Sequence, residues 1–244
     1  MCIRDSYLLE SSGCLDALAP KAVVVESVGR ALAGRYGKRV LRPDDPLYRM
    51  TGEQFKKLAA RGRTAVQAQA DGPFQPRMVK ANWEYLKALQ QRRAHADRFS
   101  ELTRSARLGQ PLFSNPGTER LLLYYADDLH SFPNAAAMET IDRNFAAAQA
   151  RLEDRGMRLV VLPCVDKFDL YWPCIAARET PENPLFELWR ELDTPYRWVD
   201  TKRILRTQLA RGVRDLYWQD DTHWSWKACL PVAEEIARQS GLLR

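Results

Sequence analysis

The tightest constraint on this chain is a pair of short apolar runs, Ala22-Val23-Val24-Val25-Glu26 and Arg158-Leu159-Val160-Val161-Leu162. Both are continuous, not alternating, and the first is rich in β-branched residues. Such runs fit strands covered on both faces, the kind found in a parallel sheet. A short strand at Tyr7–Ser11 and a helical turn at Leu15–Leu18 precede the first run, so strand, crossover and strand follow one another. That order predicts a doubly wound layout. Before the second run, Asn134 is a good N-cap, and Met138, Ile141, Phe145, Ala148 and Leu152 keep to one helical face as far as Gly156. The fold class expected is α/β, a flavodoxin-like three-layer α/β/α arrangement with a mostly parallel and incomplete sheet.

Further elements follow from similar signals. A helix is expected over Ala31–Tyr36 and a core strand over Leu121–Tyr125. Helices at Leu185–Leu192 and Thr201–Ala210, the second capped by Asp200, flank a short strand at Tyr196–Val199. Ser225 caps a last helix ending near Gln239, with Cys229, Val232, Ala233 and Ile236 as its buried stripe. Pro231 fits that helix poorly, which predicts a kink or a later start. Residues 38 to about 80 lack periodicity, apart from a short helix over Thr51–Ala60. Ala81 to about Leu108 reads as a polar helix anchored by Trp83, Leu86, Leu89, Phe99 and Leu102, with a solvated His95 in its middle. The expected organisation is a non-native segment at 1–6, a strand-helix-strand piece at 7–36, a connector or helical insertion at 37–114, and a domain core at 115–244.

The composition narrows the ligand classes. Net charge is +6, and 28 of the 37 basic residues are arginine, whose planar fork suits carboxylates and phosphates. The basic residues are scattered, with no Lys/Arg-rich run, which argues against nucleic acid. Cys2, Cys14, Cys164, Cys174 and Cys229 form no C-x-x-C pair, so no zinc ribbon or redox motif is expected, although Cys164 and Cys174 are near enough in sequence to bridge. No apolar run approaches the length of a membrane span.

The chemistry centres on Asp220-Asp221-Thr222-His223-Trp224-Ser225. An acid two residues before a histidine puts both side chains on one turn. The carboxylate can then hold one imidazole nitrogen while the other faces a substrate, the pair needed to activate a hydroxyl. The alternative is a helix start with a capping acid and a surface histidine. Ser27-Val28-Gly29-Arg30 lies past the carboxyl end of a strand, where open α/β sheets bind ligands. Arg30 is therefore either an anion contact or a first-turn surface arginine. The exit Pro163-Cys164-Val165-Asp166-Lys167-Phe168-Asp169-Leu170-Tyr171 carries a lysine, two acids and a tyrosine at another such edge.

These blocks resemble the SGNH-hydrolase-like alginate O-acetyltransferases. Asp221-Thr222-His223-Trp224 resembles their Asp-x-His-Trp block. Tyr124-Tyr125-Ala126-Asp127-Asp128-Leu129 resembles their opening strand. Leu162-Pro163-Cys164-Val165-Asp166-Lys167, with Tyr171, resembles a strand ending in Pro, then Asp-Lys and a Tyr. Val23–Leu32 resembles a later strand, with Gly29-Arg30 where the family usually has Glu-Arg. The resemblance implies a flavodoxin-like domain and acetyl transfer to a polysaccharide hydroxyl by Ser, His and Asp in the periplasm or cell envelope. Asp221 would orient His223, the base. Arg30, Lys167, Tyr171 and Trp224 would bind substrate, without cofactor or metal. The implied partners are an anionic polysaccharide, an acetyl donor and envelope acetylation-complex proteins.

Two departures stand out. The Glu26/Arg30 strand comes before the Asp-His block, whereas in the family it follows, so this is either a different order or a junction of two such domains. No strand-Gly-x-Ser block is present, so the nucleophile serine is expected outside this sequence. A carbohydrate acetyl-esterase of the same fold is one alternative. Another is a non-catalytic polysaccharide binder using Trp172, Trp218, Trp224 and Trp226. A metal site built from Asp221, His223 and His130 is a further one, without the repeated ligand spacing metals favour.

Overall fold

The computed structural model describes residues 15, 19–40, 83, 86, 87, 90, 102–129 and 132–242. The expected elements at Tyr7–Ser11 and Thr51–Ala60, with His95, lie outside these residues, as does His130.

Two strands built from the apolar runs pair in parallel. β1 (Ala22–Val28) aligns with β4 (Arg158–Cys164), residue by residue from Ala22 opposite Arg158 to Val28 opposite Cys164. β5 (Arg197–Trp198) joins the other side of β4, also parallel, giving the order β1-β4-β5. β4 is buried from Leu159 to Cys164 on both of its faces, as its continuous apolar sequence requires. The chain is thus an α/β protein with a parallel sheet at its centre.

Helices cover β4 from two groups. α1 (Gly29–Tyr36), α2 (Ala135–Glu153) and α4 (Leu185–Arg190) form one, in which α2 touches the other two and β4. α5 (Thr201–Ala210) packs on β4 and on α6 (Trp226–Gln239) in the second. Between these elements lies α3 (Lys167–Tyr171), whose five residues are all buried. The stripe of α2 is the centre of the first layer. Met138, Ile141, Phe145, Ala148 and Leu152 are all buried, and the Phe145 ring meets Tyr36, Trp189 and Tyr196. Asn134 caps α2 by accepting the Ala137 amide at 2.9 Å, and Gly156 (φ 70°) turns the chain into β4.

Several expectations need correction. The polar helix does not continue to Leu108: residues 83, 86, 87 and 90 are helical, but Thr103–Arg107 is a strand, β2. β2 pairs antiparallel with β3 (Leu121–Tyr125), so a partner distant in sequence overrides local helical periodicity. Trp83, Leu86 and Leu102, expected as apolar anchors, are exposed. The Leu121–Tyr125 strand forms, but in this two-stranded sheet and not in the parallel one.

The strand expected to close at Pro163 runs on to Cys164. Pro163 lies beyond the reach of β5, which pairs only with Val160 and Val161, so its missing N–H leaves no ladder bond broken on that side. The Thr201 hydroxyl donates to the Pro163 carbonyl at 2.6 Å and accepts the Val165 amide at 3.0 Å, finishing the strand end.

α6 starts at Trp226 and contains Pro231, so there is no later start. Its buried residues are Ala228 and Val232, while Cys229 and Ala233 are exposed and Ile236 is half-buried. Ser225 caps the helix by accepting the Lys227 amide, and its own N–H donates to the Leu216 carbonyl at 2.8 Å. Cys164, Cys174 and Cys229 are free thiols.

Phe145→Ala is expected to cost about 3–5 kcal/mol, because three ring contacts and a fully buried side chain are lost at once. Thermal unfolding should shift down by roughly 10 °C. A shift under about 2 °C would contradict this reading of the core.

Candidate active site

Two acids and one arginine join the carboxyl ends of β1 and β4. The turn from β1 into α1 passes so close to Asp166 that a Cβ on Gly29 would sit 2.7 Å from its Oδ2. A side chain at position 29 would therefore force Asp166 to move. α1 has no side-chain cap of its own from Val28. Instead Asp166 accepts the Arg30 backbone N–H at 2.6 Å, a carboxylate at a helix N-terminus supplied from the turn that follows β4. The Arg30 guanidinium donates to Asp166 Oδ1 at 2.6 Å and to Asp128 Oδ1 at 3.2 Å, and lies over the Tyr125 ring. Asp128 in turn accepts the Phe168 amide in the first turn of α3, at 3.4 Å. Each acid thus serves a helix from a different segment, and Arg30 ties them together.

Both acids are almost wholly buried, with side chains 1% and 3% exposed. Burial pushes the Asp128 carboxyl up, against the attraction of Arg30. Burial, and then repulsion from Asp128, push Asp166 up as well, and Arg30 again opposes the shift. One guanidinium cannot neutralise two carboxylates, so the pair favours holding a proton.

Lys167, the next residue, is 1% exposed and points the other way. Its ammonium donates to three backbone carbonyls: Trp218 at 2.6 Å, Gln219 at 2.7 Å and Asp221 at 3.0 Å. Three protons meet three acceptors of one loop, and only the protonated amine can satisfy all of them. Burial pushes Lys167 down to about 7, opposed by Asp220, Asp221 and Asp128. The Phe113 and Tyr217 rings stand 5.4 and 5.9 Å from the nitrogen.

The loop so held is the Asp-x-His turn. Its stem is a narrow antiparallel bridge between Tyr217 and Trp224, with Ser225 N–H on the Leu216 carbonyl and Trp218 N–H on the His223 carbonyl. Gln219 is buried and pins the loop sideways, donating to the Thr118 carbonyl at 2.5 Å and the Leu121 carbonyl at 3.0 Å. At the tip, Asp221 Oδ1 accepts the Thr222 amide at 2.5 Å and the His223 amide at 3.2 Å, and meets His223 Nδ1 at 2.6 Å. The imidazole contact, then the Thr222 amide, hold the Asp221 carboxyl below its usual range. A carboxylate on Nδ1 fixes the proton there and leaves Nε2 as the basic nitrogen. The His223 side chain is 82% exposed, and among the described residues Nε2 has no hydrogen-bond partner.

The candidates named from the sequence therefore fall into three settings. Asp221 and His223 are in contact at an open tip. Trp224 is half-buried in the stem, edge-on to Tyr217. Lys167 and Tyr171 are buried beneath it, so neither is available for the substrate contact expected of them. The Tyr171 hydroxyl accepts the Tyr217 amide at 3.3 Å, and its ring packs on Phe113 and Tyr217. Arg30 is committed to Asp128 and Asp166, with its side chain 23% exposed. Asp128 and Asp166 stand in blocks noted in the sequence but were given no role there, and Gln219 was not singled out. The two acids stand at strand exits that were visible there, whereas nothing local marks Gln219. Among the described residues no cluster of His, Cys, Asp or Glu could hold a metal.

Asp128→Asn tests the buried acid pair through pH. The Asp128 carboxyl rises from 3.8 unfolded to about 6 folded. A raised acid contributes stability that is fully present below the unfolded value and lost as pH rises through the folded one. The asparagine keeps the acceptor and never ionises. The difference in melting temperature, variant minus parent, is thus expected to become more positive from pH 5 to pH 8. A difference that is flat, or that falls with pH, would contradict the shared-arginine reading.

No protein-family model matches this chain, and no curated protein or solved structure matches it.

Proposed function

We propose that the Asp221–His223 turn is the base-and-orienter half of an O-acyl transfer site of the SGNH O-acetyltransferase type. It would acetylate an anionic, alginate-like exopolysaccharide in the periplasm or cell envelope, drawing on an acetyl donor and on partner proteins of an envelope acetylation complex. The observation that carries this reading is the 2.6 Å contact of Asp221 with Nδ1 beside an open Nε2.

In this scheme Nε2 takes the proton of a serine hydroxyl as its oxygen attacks the acetyl carbonyl. The imidazolium, stabilised by Asp221, returns that proton to the leaving group. A sugar hydroxyl then repeats the cycle as acceptor, and the ester passes to the polymer. Lys167 does not touch substrate in this scheme but fixes the carbonyls of the loop from below. No serine is assigned here, because Nε2 has no hydroxyl partner among the described residues.

A second reading has its own support. Trp218 and Trp226 are 49% and 66% exposed and line a cavity of about 320 Å³ next to the turn, together with Asp215, Asp220 and Lys227. Exposed indole faces amid polar groups suit a sugar ring, which fits a non-catalytic polysaccharide binder.

With the serine nucleophile that the scheme requires present, the test is turnover of a small acetyl ester and acetyl transfer to an oligosaccharide. His223→Ala is expected to lower the rate on the order of 10²-fold or more, and Asp221→Asn at least about 10-fold. Unchanged rates in both variants would sink the catalytic reading. Glycan binding retained by His223→Ala, with no turnover by the parent, would favour the binder.

A further inference from the structure

The segment joining β2 to β3 walls an open cleft of about 670 Å³. Three arginines converge there: Arg107 at the end of β2 and Arg120 just before β3, from the two ends of one connection, and Arg214, after α5, from far along the chain. Two of them are anchored by neutral groups. Arg120 donates to the Gly109 carbonyl at 2.7 Å, and Arg214 donates to the Phe113 carbonyl. Arg214 Nε is buried without a hydrogen-bond partner. Elsewhere Arg30, Arg190, Arg206 and Arg238 each have a carboxylate within salt-bridge distance. Among the described residues none of the three cleft arginines has one. Positive charge is gathered here in excess of the one acid in the lining.

The rest of the lining decides which anion fits. Glu119 is its one acid. Its own amide, then that of Gly117, and Arg214 as well, hold the Glu119 carboxyl below the usual range, so it is ionised at neutral pH. Phosphate has few donors to offer that carboxylate, whereas sugar hydroxyls can donate to it while a sugar carboxylate meets the arginines. Thr118 and Pro111 add a hydroxyl and an apolar face. The size is that of a small-molecule pocket.

We propose that this cleft binds acidic carbohydrate, its guanidiniums gripping sugar carboxylates while Glu119 takes hydroxyls. The choice of a sugar over other carboxylates rests on the acyl-transfer reading of the His223 turn, but the convergence of charge does not. The Gln219 bonds to Thr118 and Leu121 make the cleft wall continuous with the turn. A polymer anchored by its carboxylates in the cleft would therefore pass near His223. The cleft is a positioning subsite for an extended chain.

Calorimetric titration of the full chain with tetragalacturonate tests this. A neutral tetrasaccharide, inorganic phosphate and a short single-stranded oligonucleotide are the comparators. The acidic sugar is expected to bind, to weaken as salt is added, and to lose at least about 10-fold in affinity in the Arg107→Ala/Arg120→Ala double variant. Both side chains are exposed, so the melting temperature and the turnover of a small acetyl ester should be unchanged by the double variant. His223→Ala should bind tetragalacturonate as the parent does. Binding unaffected by the double variant, equal binding of the neutral sugar, or binding of phosphate or oligonucleotide alone would overturn the proposal. Arginine-dependent binding of the acidic sugar upholds the cleft even where no acyl transfer is found, so the two readings fail separately.

Discussion

A buried ammonium with three carbonyls around it is the interaction on which the candidate site depends. Lys167 is one of the largest fully buried side chains in the structure, and a charge in that position is tolerable only with every proton bonded. Its acceptors are the carbonyls of Trp218, Gln219 and Asp221, groups of a loop that would otherwise have to find water. The same bonds that satisfy the lysine fix the loop's backbone. The Asp221–His223 contact then forms between residues whose main chain is already held. An exposed imidazole can in this way have a fixed direction.

The helix that carries Lys167 is fixed from both ends. Asp128 caps its first turn through the Phe168 amide. Two residues along from Lys167, Asp169 forms a 3.1 Å ion pair with the buried Lys202, which is also paired with Glu182 and Glu187. Arg206 adds a bond to the Asp169 carbonyl. Removing one member of such a buried set leaves its partner charged and unsatisfied, which costs far more than the intact set contributes. α3 thus sits between two ionic groups, one facing the sheet edge and the other facing α5. The packing of Phe168, Leu170 and Tyr171 fills the space between them.

Much of the frame was legible in the sequence because it is local. The valine run, the caps Asn134, Asp200 and Ser225, and the stripe of α2 each declare themselves within a few residues. So does the Asp221–His223 spacing, since two residues are all a turn needs. What was not legible depends on chain closure. Thr103–Arg107 has nothing strand-like in its own pattern and becomes a strand because β3 pairs with it. Arg30 finds Asp166 across 136 positions and Asp128 across 98. Lys167 and Tyr171 were expected as substrate contacts from the resemblance and from their place after a strand end. Burial turned them inward, and no local pattern tells a loop's support from its working face. For the same reason the Asp166-Lys167 and Asp221-Thr222-His223-Trp224 blocks, read along the chain, do not give the direction in which their side chains face.

The account rests on Lys167 being charged and bonded to that loop. The most direct measurement is NMR of the Lys167 side chain, labelled with ¹⁵N, for scalar couplings through hydrogen bonds to the carbonyl carbons of Trp218, Gln219 and Asp221. A slowly exchanging ammonium coupled to these carbonyls, recorded at pH 6, is the expected result. A freely rotating, rapidly exchanging amine with no such coupling would contradict it, and would leave the Asp221–His223 turn without its support.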